Sequence, residues 1–116
     1  MESETNPTLP LFVYGSLVDA THRAEVLGHH AEGLPATLHG FERGLSRHWY
    51  IRRRDGAETA GLVLIDLGAH DFAILDRYEE VPTLYTREQI EVAGQGGASI
   101  RCWVYLPTAW APPIAE

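Results

Sequence analysis

A chain of 116 residues with a formal net charge of −7 has the length for one domain with one core, and the wrong sign for a nucleic-acid binder, which needs clustered positive charge. All nine basic residues are Arg, and the absence of Lys removes Schiff-base chemistry and any phosphate-binding loop that depends on Lys. A single cysteine permits no intrachain disulfide, the N-terminus lacks a basic-plus-apolar leader, and no apolar run nears the ~20 residues of a membrane span, so a cytoplasmic protein without nucleic-acid or membrane partners is expected.

Residues 1–10 are acidic and carry Pro7 and Pro10, which predicts a flexible tail. Leu11 to Tyr14 is a continuous apolar run of strand formers, as in a strand buried on both faces, and it ends at Gly15. Asp19 suits a helix N-cap, with His22 at the N3 position where a capping box prefers Glu. A short helix is predicted from Ala20 to Leu27, stopped by Gly28.

Two strands are predicted next, Ala36 to Phe41 and Leu45 to Ile51, separated near Gly44. Asp55-Gly56 is a hairpin signal, and the basic run Arg52-Arg53-Arg54 before it reads as a solvated hairpin tip. Gly61 to Leu67 is a further strand. A second helix is predicted from Ala69 to Glu79 or Glu80, because Pro82 disfavours helical geometry at Val81. Leu84 to Ala93, a turn at Gly94-Gln95-Gly96-Gly97 and Ser99 to Leu106 make a last hairpin. The Pro-rich segment 107–116 reads as a C-terminal tail, leaving 11–106 as the domain. The order β-α-β-β-β-α-β-β, with about six strands and two short helices, predicts an α+β fold on a small mixed β-barrel, since such a sheet must curl to bury its inner face.

Two features carry chemistry. On a helical wheel, Phe72, Ile74, Leu75 and Tyr78 form the apolar face of the second helix. Glu79 falls between Phe72 and Leu75, while Glu80 falls with Ala73 and Asp76 on the solvated side. Burial raises a carboxyl's pKa toward the range of a general base, and acids are unfavourable in a helix's last turn. A purely structural Glu79, ending the helix and bonding a donor such as Arg87, fits the wheel as well. The second feature is Tyr14-Gly15-Ser16-Leu17, where a sharp turn leads into a helix. Successive N–H groups there can face one anion, with the Ser16 hydroxyl as an added donor.

Together these segments resemble the γ-glutamylcyclotransferase-like superfamily, in particular its small branch of γ-glutamylamine cyclotransferases and plant avirulence-induced proteins. The resemblance rests on Phe12-Val13-Tyr14-Gly15-Ser16-Leu17, on Ala36-Thr37-Leu38-His39-Gly40-Phe41, on Gly61-Leu62-Val63-Leu64, and on Leu75-Asp76-Arg77-Tyr78-Glu79 followed by Tyr85 and Arg87. It implies an enzyme that closes a γ-glutamyl group to 5-oxoproline and releases an amine or amino acid, using no metal or cofactor. It places the catalytic glutamate at Glu79 and the glutamyl-binding loop at Tyr14, Gly15, Ser16 and Leu17, with Tyr85 adding a hydroxyl contact. The partner expected is a small γ-glutamyl substrate; the sequence leaves the oligomeric state and the leaving group open. Where the family often has a small residue after the glutamate, this chain has Glu80, Val81 and Pro82, which alters the rim of the pocket. A non-catalytic small-molecule-binding module on the same fold is the alternative. A serine hydrolase built on Ser16 lacks the second glycine of a nucleophile elbow, Cys102 sits in an apolar strand, and the histidines show no metal-ligand spacing.

Overall fold

A computed structural model describes residues 9–113, so the expected N-terminal tail lies outside the described residues except for Leu9 and Pro10. The order along the chain is β1 (Leu11–Val13), a 3-10 turn (Ser16–Val18), α1 (Ala20–Leu27), β2 (Gly33–Leu45), β3 (Trp49–Leu64), α2 (Ala69–Tyr78), β4 (Tyr85–Gly94) and β5 (Ser99–Pro107). The five strands close a barrel in the order β1-β3-β2-β4-β5. The barrel is mixed because β1 runs antiparallel to β3 (Phe12 opposite Val63) and parallel to β5 (Leu11 opposite Trp103). The expected α+β barrel with two short helices is what forms.

Alternation along the short β1 divides the core. Leu11 and Val13 join Leu27, Phe72 and Leu75 in a cluster shared with the helices, whereas Phe12 and Tyr14 join Leu38, Ile51, Val63 and Val104 in one made by the strands. All three residues of β1 are buried, as its continuous apolar run requires.

The barrel has five strands because the third and fourth expected strands are one. β2 passes through Gly44, which pairs with Tyr50, and the hairpin turns instead at Ser46–His48, where Ser46 N donates to His48 O at 3.2 Å. Asp55-Gly56 is no hairpin turn: the register slips so that residues 54–57 of β3 lie across from Gly40 alone. Gly40 (φ 87°) and Gly56 (φ 82°) supply the left-handed backbone that a bulge needs as much as a tight turn does. Arg52, Arg53 and Arg54 are therefore strand residues and not a solvated tip. Arg52 donates to the carbonyls of Ala111 and Pro112, Arg53 stacks 4.8 Å over Phe41, and Arg54 pairs with Glu42 at 2.5 Å.

Both helices start and stop close to expectation. The Asp19 carboxylate accepts from His22 N at 2.8 Å, and Gly28 caps α1 in the left-handed region. α2 ends at Tyr78, with Glu79 as its capping residue and Glu80 at φ 55°. Residues 107–113, expected as tail, lie against the barrel: Trp110 Nε1 donates to Leu84 O at 2.6 Å, its ring meets Tyr50 and Tyr85 edge-on, and Ala111 is buried. No helix among the described residues is long and apolar enough to cross a membrane.

Candidate active site

β1 delivers the chain to one end of the barrel, and the turn at Gly15 carries it back into α1. Gly15 is required there less for sharpness than for proximity, since a Cβ on it would lie 2.9 Å from the Trp49 Cβ. The Gly15 and Ser16 carbonyls accept from Val18 N and Asp19 N at 3.0 and 3.3 Å, so the carbonyls face along the 3-10 turn and its first N–H groups face the other way. From behind, the buried Arg23 holds the turn: its guanidinium donates to Leu17 O, Val18 O and Ala31 O at 3.1, 3.2 and 2.9 Å.

The end of α2 and the β2–β3 hairpin tip meet this turn around a cavity of about 480 Å³. Its lining includes Tyr14, Gly15, Ser16, Leu17, Glu79 and Tyr85, so every residue expected to serve the site faces one space. Glu79 is half-buried and, among the described residues, its carboxyl has no hydrogen-bond or ion-pair partner. Burial alone raises it from 4.5 to about 7. The structural alternative for Glu79 named Arg87 as its partner, but Arg87 is held by Asp76 through two bonds of 2.9 and 3.2 Å. Asp76 is therefore not on a merely solvated face. Glu80 is exposed, as the wheel predicts.

The tyrosine side chains differ from expectation. Tyr14 is buried and donates to Tyr105 O at 2.6 Å. Tyr85 donates to Trp49 O at 2.6 Å, so its proton fastens the hairpin tip and only its oxygen and ring face the cavity. Burial, and then the nearby Glu79 charge among other causes, holds both phenols above their ordinary range. Tyr78, assigned by the wheel to the apolar face, is 39% exposed, and its hydroxyl lies 3.0 Å from Ser16 Oγ and 2.7 Å from His22 Nε2.

Ser16 thus meets a phenol and not an imidazole, which removes the direct base a serine nucleophile needs. Cys102 is wholly buried among the strands, and burial pushes its thiol up to about 12. Among the described residues no three His, Cys, Asp or Glu side chains come together as a metal site.

Sequence reasoning missed Arg23, Arg43 and Trp49. Arg43 donates to Tyr14 O at 2.8 Å and stacks 4.6 Å from the Trp49 ring, joining turn and hairpin tip. Arg23 had one signal, its position four residues before the apolar Leu27 on the same helix face. For Arg43 and Trp49 the contact is made by tertiary packing, and no local pattern announces it.

A family model described as gamma-glutamyl cyclotransferase, AIG2-like, matches residues 11–115. A relative from Methanocaldococcus jannaschii, described as a gamma-glutamylcyclotransferase and putative RNase, is 21% identical over 109 residues, 91% of this chain and 49% of the relative, so the chain spans about half that protein's length. A solved structure from Arabidopsis thaliana aligns with TM-score 0.80 and 25% identity over 93% of this chain and 75% of its own. A solved gamma-glutamyl cyclotransferase aligns with TM-score 0.74 and 25% identity over 86% and 66%.

Proposed function

The chain belongs to the gamma-glutamyl cyclotransferase, AIG2-like family, and on that footing we propose that it is an enzyme that converts a γ-glutamyl compound to 5-oxoproline and a free amine or amino acid. The α-nitrogen of the glutamyl group attacks its own γ-carbonyl carbon. One C–N bond forms to close the five-membered ring, and the bond from that carbon to the leaving nitrogen breaks. An ammonium cannot attack, so a base must first take a proton; Glu79 accepts it and returns it to the departing nitrogen. Attack within one molecule already has its reactants together, so the protein's work is to fold the glutamyl chain and stabilise the oxyanion. The N–H groups of the Tyr14-Leu17 turn and the Ser16 hydroxyl are suited to the substrate's α-carboxylate, and the Tyr85 ring forms a wall.

The observation that carries this reading is the unpartnered, half-buried Glu79 carboxyl, raised to about 7 and facing the same cavity as the turn. A carboxyl with that value is an effective proton acceptor near neutrality and can still give the proton back. Wild type and Glu79→Gln incubated with a panel of γ-glutamyl amino acids and γ-glutamyl amines, with 5-oxoproline measured, test it. Product from wild type and its near-loss in the variant are expected. Equal product from both overturns the role of Glu79; binding without product from any compound favours the non-catalytic module.

A further inference from the structure

The Ser16, Tyr78 and His22 side chains form a chain of two hydrogen bonds along the cavity wall. Tyr78 Oη stands between Ser16 Oγ at 3.0 Å and His22 Nε2 at 2.7 Å, and all three residues line the cavity. They come from three separate elements: the 3-10 turn, the last residue of α2 and the first turn of α1.

A phenol has one proton to give, so His22 Nε2 and Ser16 Oγ cannot both accept from Tyr78, and two arrangements pass donation along the whole chain. If Tyr78 donates to a bare His22 Nε2, Ser16 must spend its own proton on Tyr78 and shows the cavity only lone pairs. If His22 carries its proton on Nε2 and donates to Tyr78, the Tyr78 proton is released for Ser16, and with that bond made the Ser16 proton is free for the cavity. A carboxylate at the turn is repelled by the first arrangement and bonded by the second.

We infer that His22 and Tyr78 are positioning residues that make Ser16 a hydrogen-bond donor toward the substrate's carboxylate. This rests on the glutamyl-binding role proposed for the turn. The order of donation is His22 Nε2–H to Tyr78 to Ser16 to the ligand. No bond is made or broken in the relay, so it acts on binding and leaves proton transfer to Glu79.

A double-mutant cycle with a γ-glutamyl compound that wild type turns over tests it. Tyr78→Phe leaves the serine rotor unfixed, and KM is expected to rise roughly threefold to tenfold, with kcat within about twofold. Ser16→Ala should raise KM at least as much. Adding Tyr78→Phe to Ser16→Ala, or His22→Ala to Tyr78→Phe, should change KM no further, because each acts only through the next. A Tyr78→Phe effect that persists in the Ser16→Ala background, or an unchanged KM, overturns the relay while leaving the proposed reaction standing. Absence of wild-type turnover with every γ-glutamyl compound overturns both. Nitrogen-15 NMR with 5-oxoproline bound supplies a second reading: His22 should be protonated at Nε2, and a bare Nε2 in that complex overturns the proposal.

Discussion

Asp76 and Glu79 stand three residues apart at the end of α2, and their surroundings divide the helix terminus into two regions. The Asp76 carboxylate accepts from Arg87 Nε at 2.9 Å, Arg87 Nη2 at 3.2 Å and Tyr105 Oη at 2.7 Å. Arg87 in turn lies 4.6 Å from the Trp103 ring and 4.8 Å from that of Phe72, so the ion pair is clamped between helix and barrel. Glu79 faces the cavity with no donor of its own among the described residues. One carboxylate has its charge compensated and serves to dock a helix. The other keeps a charge that is costly to form, which is the property a proton acceptor needs.

The contrast predicts opposite responses to the same conservative change. Glu79→Gln should lower kcat by roughly 10²- to 10⁴-fold, the usual range for losing a positioned base, whereas Asp76→Asn should cost less than about tenfold. Steady-state rates of 5-oxoproline formation decide it, and equal losses at both positions would erase the distinction. Stability should show the reverse order. Asp76→Ala leaves Arg87 without its fork, and a loss of about 1–3 kcal/mol is expected by urea denaturation, moderated because the pair is partly exposed.

The smallest effect carries the clearest sign. Glu79 has a folded value of about 7 against 4.5 when free, so between those values the folded protein binds a proton that the unfolded chain has released. Wild-type stability from this group is therefore greatest below pH 4.5 and is lost as pH rises through about 7. Glu79→Gln should match wild type near pH 4 and be more stable by about 1–2 kcal/mol at pH 8, below the full linkage value because the group is partly solvated. A variant less stable than wild type at pH 8 would mean that the charged carboxylate has partners after all.

The choice of Glu79 over Glu80 was legible because a helix converts position into direction, and a wheel through Phe72 and Leu75 points one acid inward and the other out. The same wheel misjudged Tyr78 and Asp76. It treats a phenol as apolar and an acid as solvated, and neither the hydroxyl of Ser16 nor the guanidinium of Arg87 is visible from within one helix. The strand count turned on Asp55-Gly56, where a glycine with positive φ announces a backbone kink but not whether the chain reverses there or bulges and continues. That outcome depends on Gly40 across the sheet. The cavity wall at Trp49, and the Arg43 that stacks on it and holds the Tyr14 carbonyl, depend on closure of the whole barrel, which local periodicity cannot encode.

Several bonds that hold the cavity in shape end on main-chain oxygens: Arg43 on Tyr14, Tyr14 on Tyr105, Tyr85 on Trp49 and Arg23 on Leu17. A carbonyl is the same atom whatever side chain stands above it. These four bonds thus depend on where the backbone runs and not on the side chain of the accepting residue. The hairpin tip can be rewritten at residues 45–48 without unfastening the Trp49 carbonyl that anchors it. Substitutions at Leu45, Arg47 and His48 would therefore reshape one wall of the cavity while that main-chain fastening stays in place.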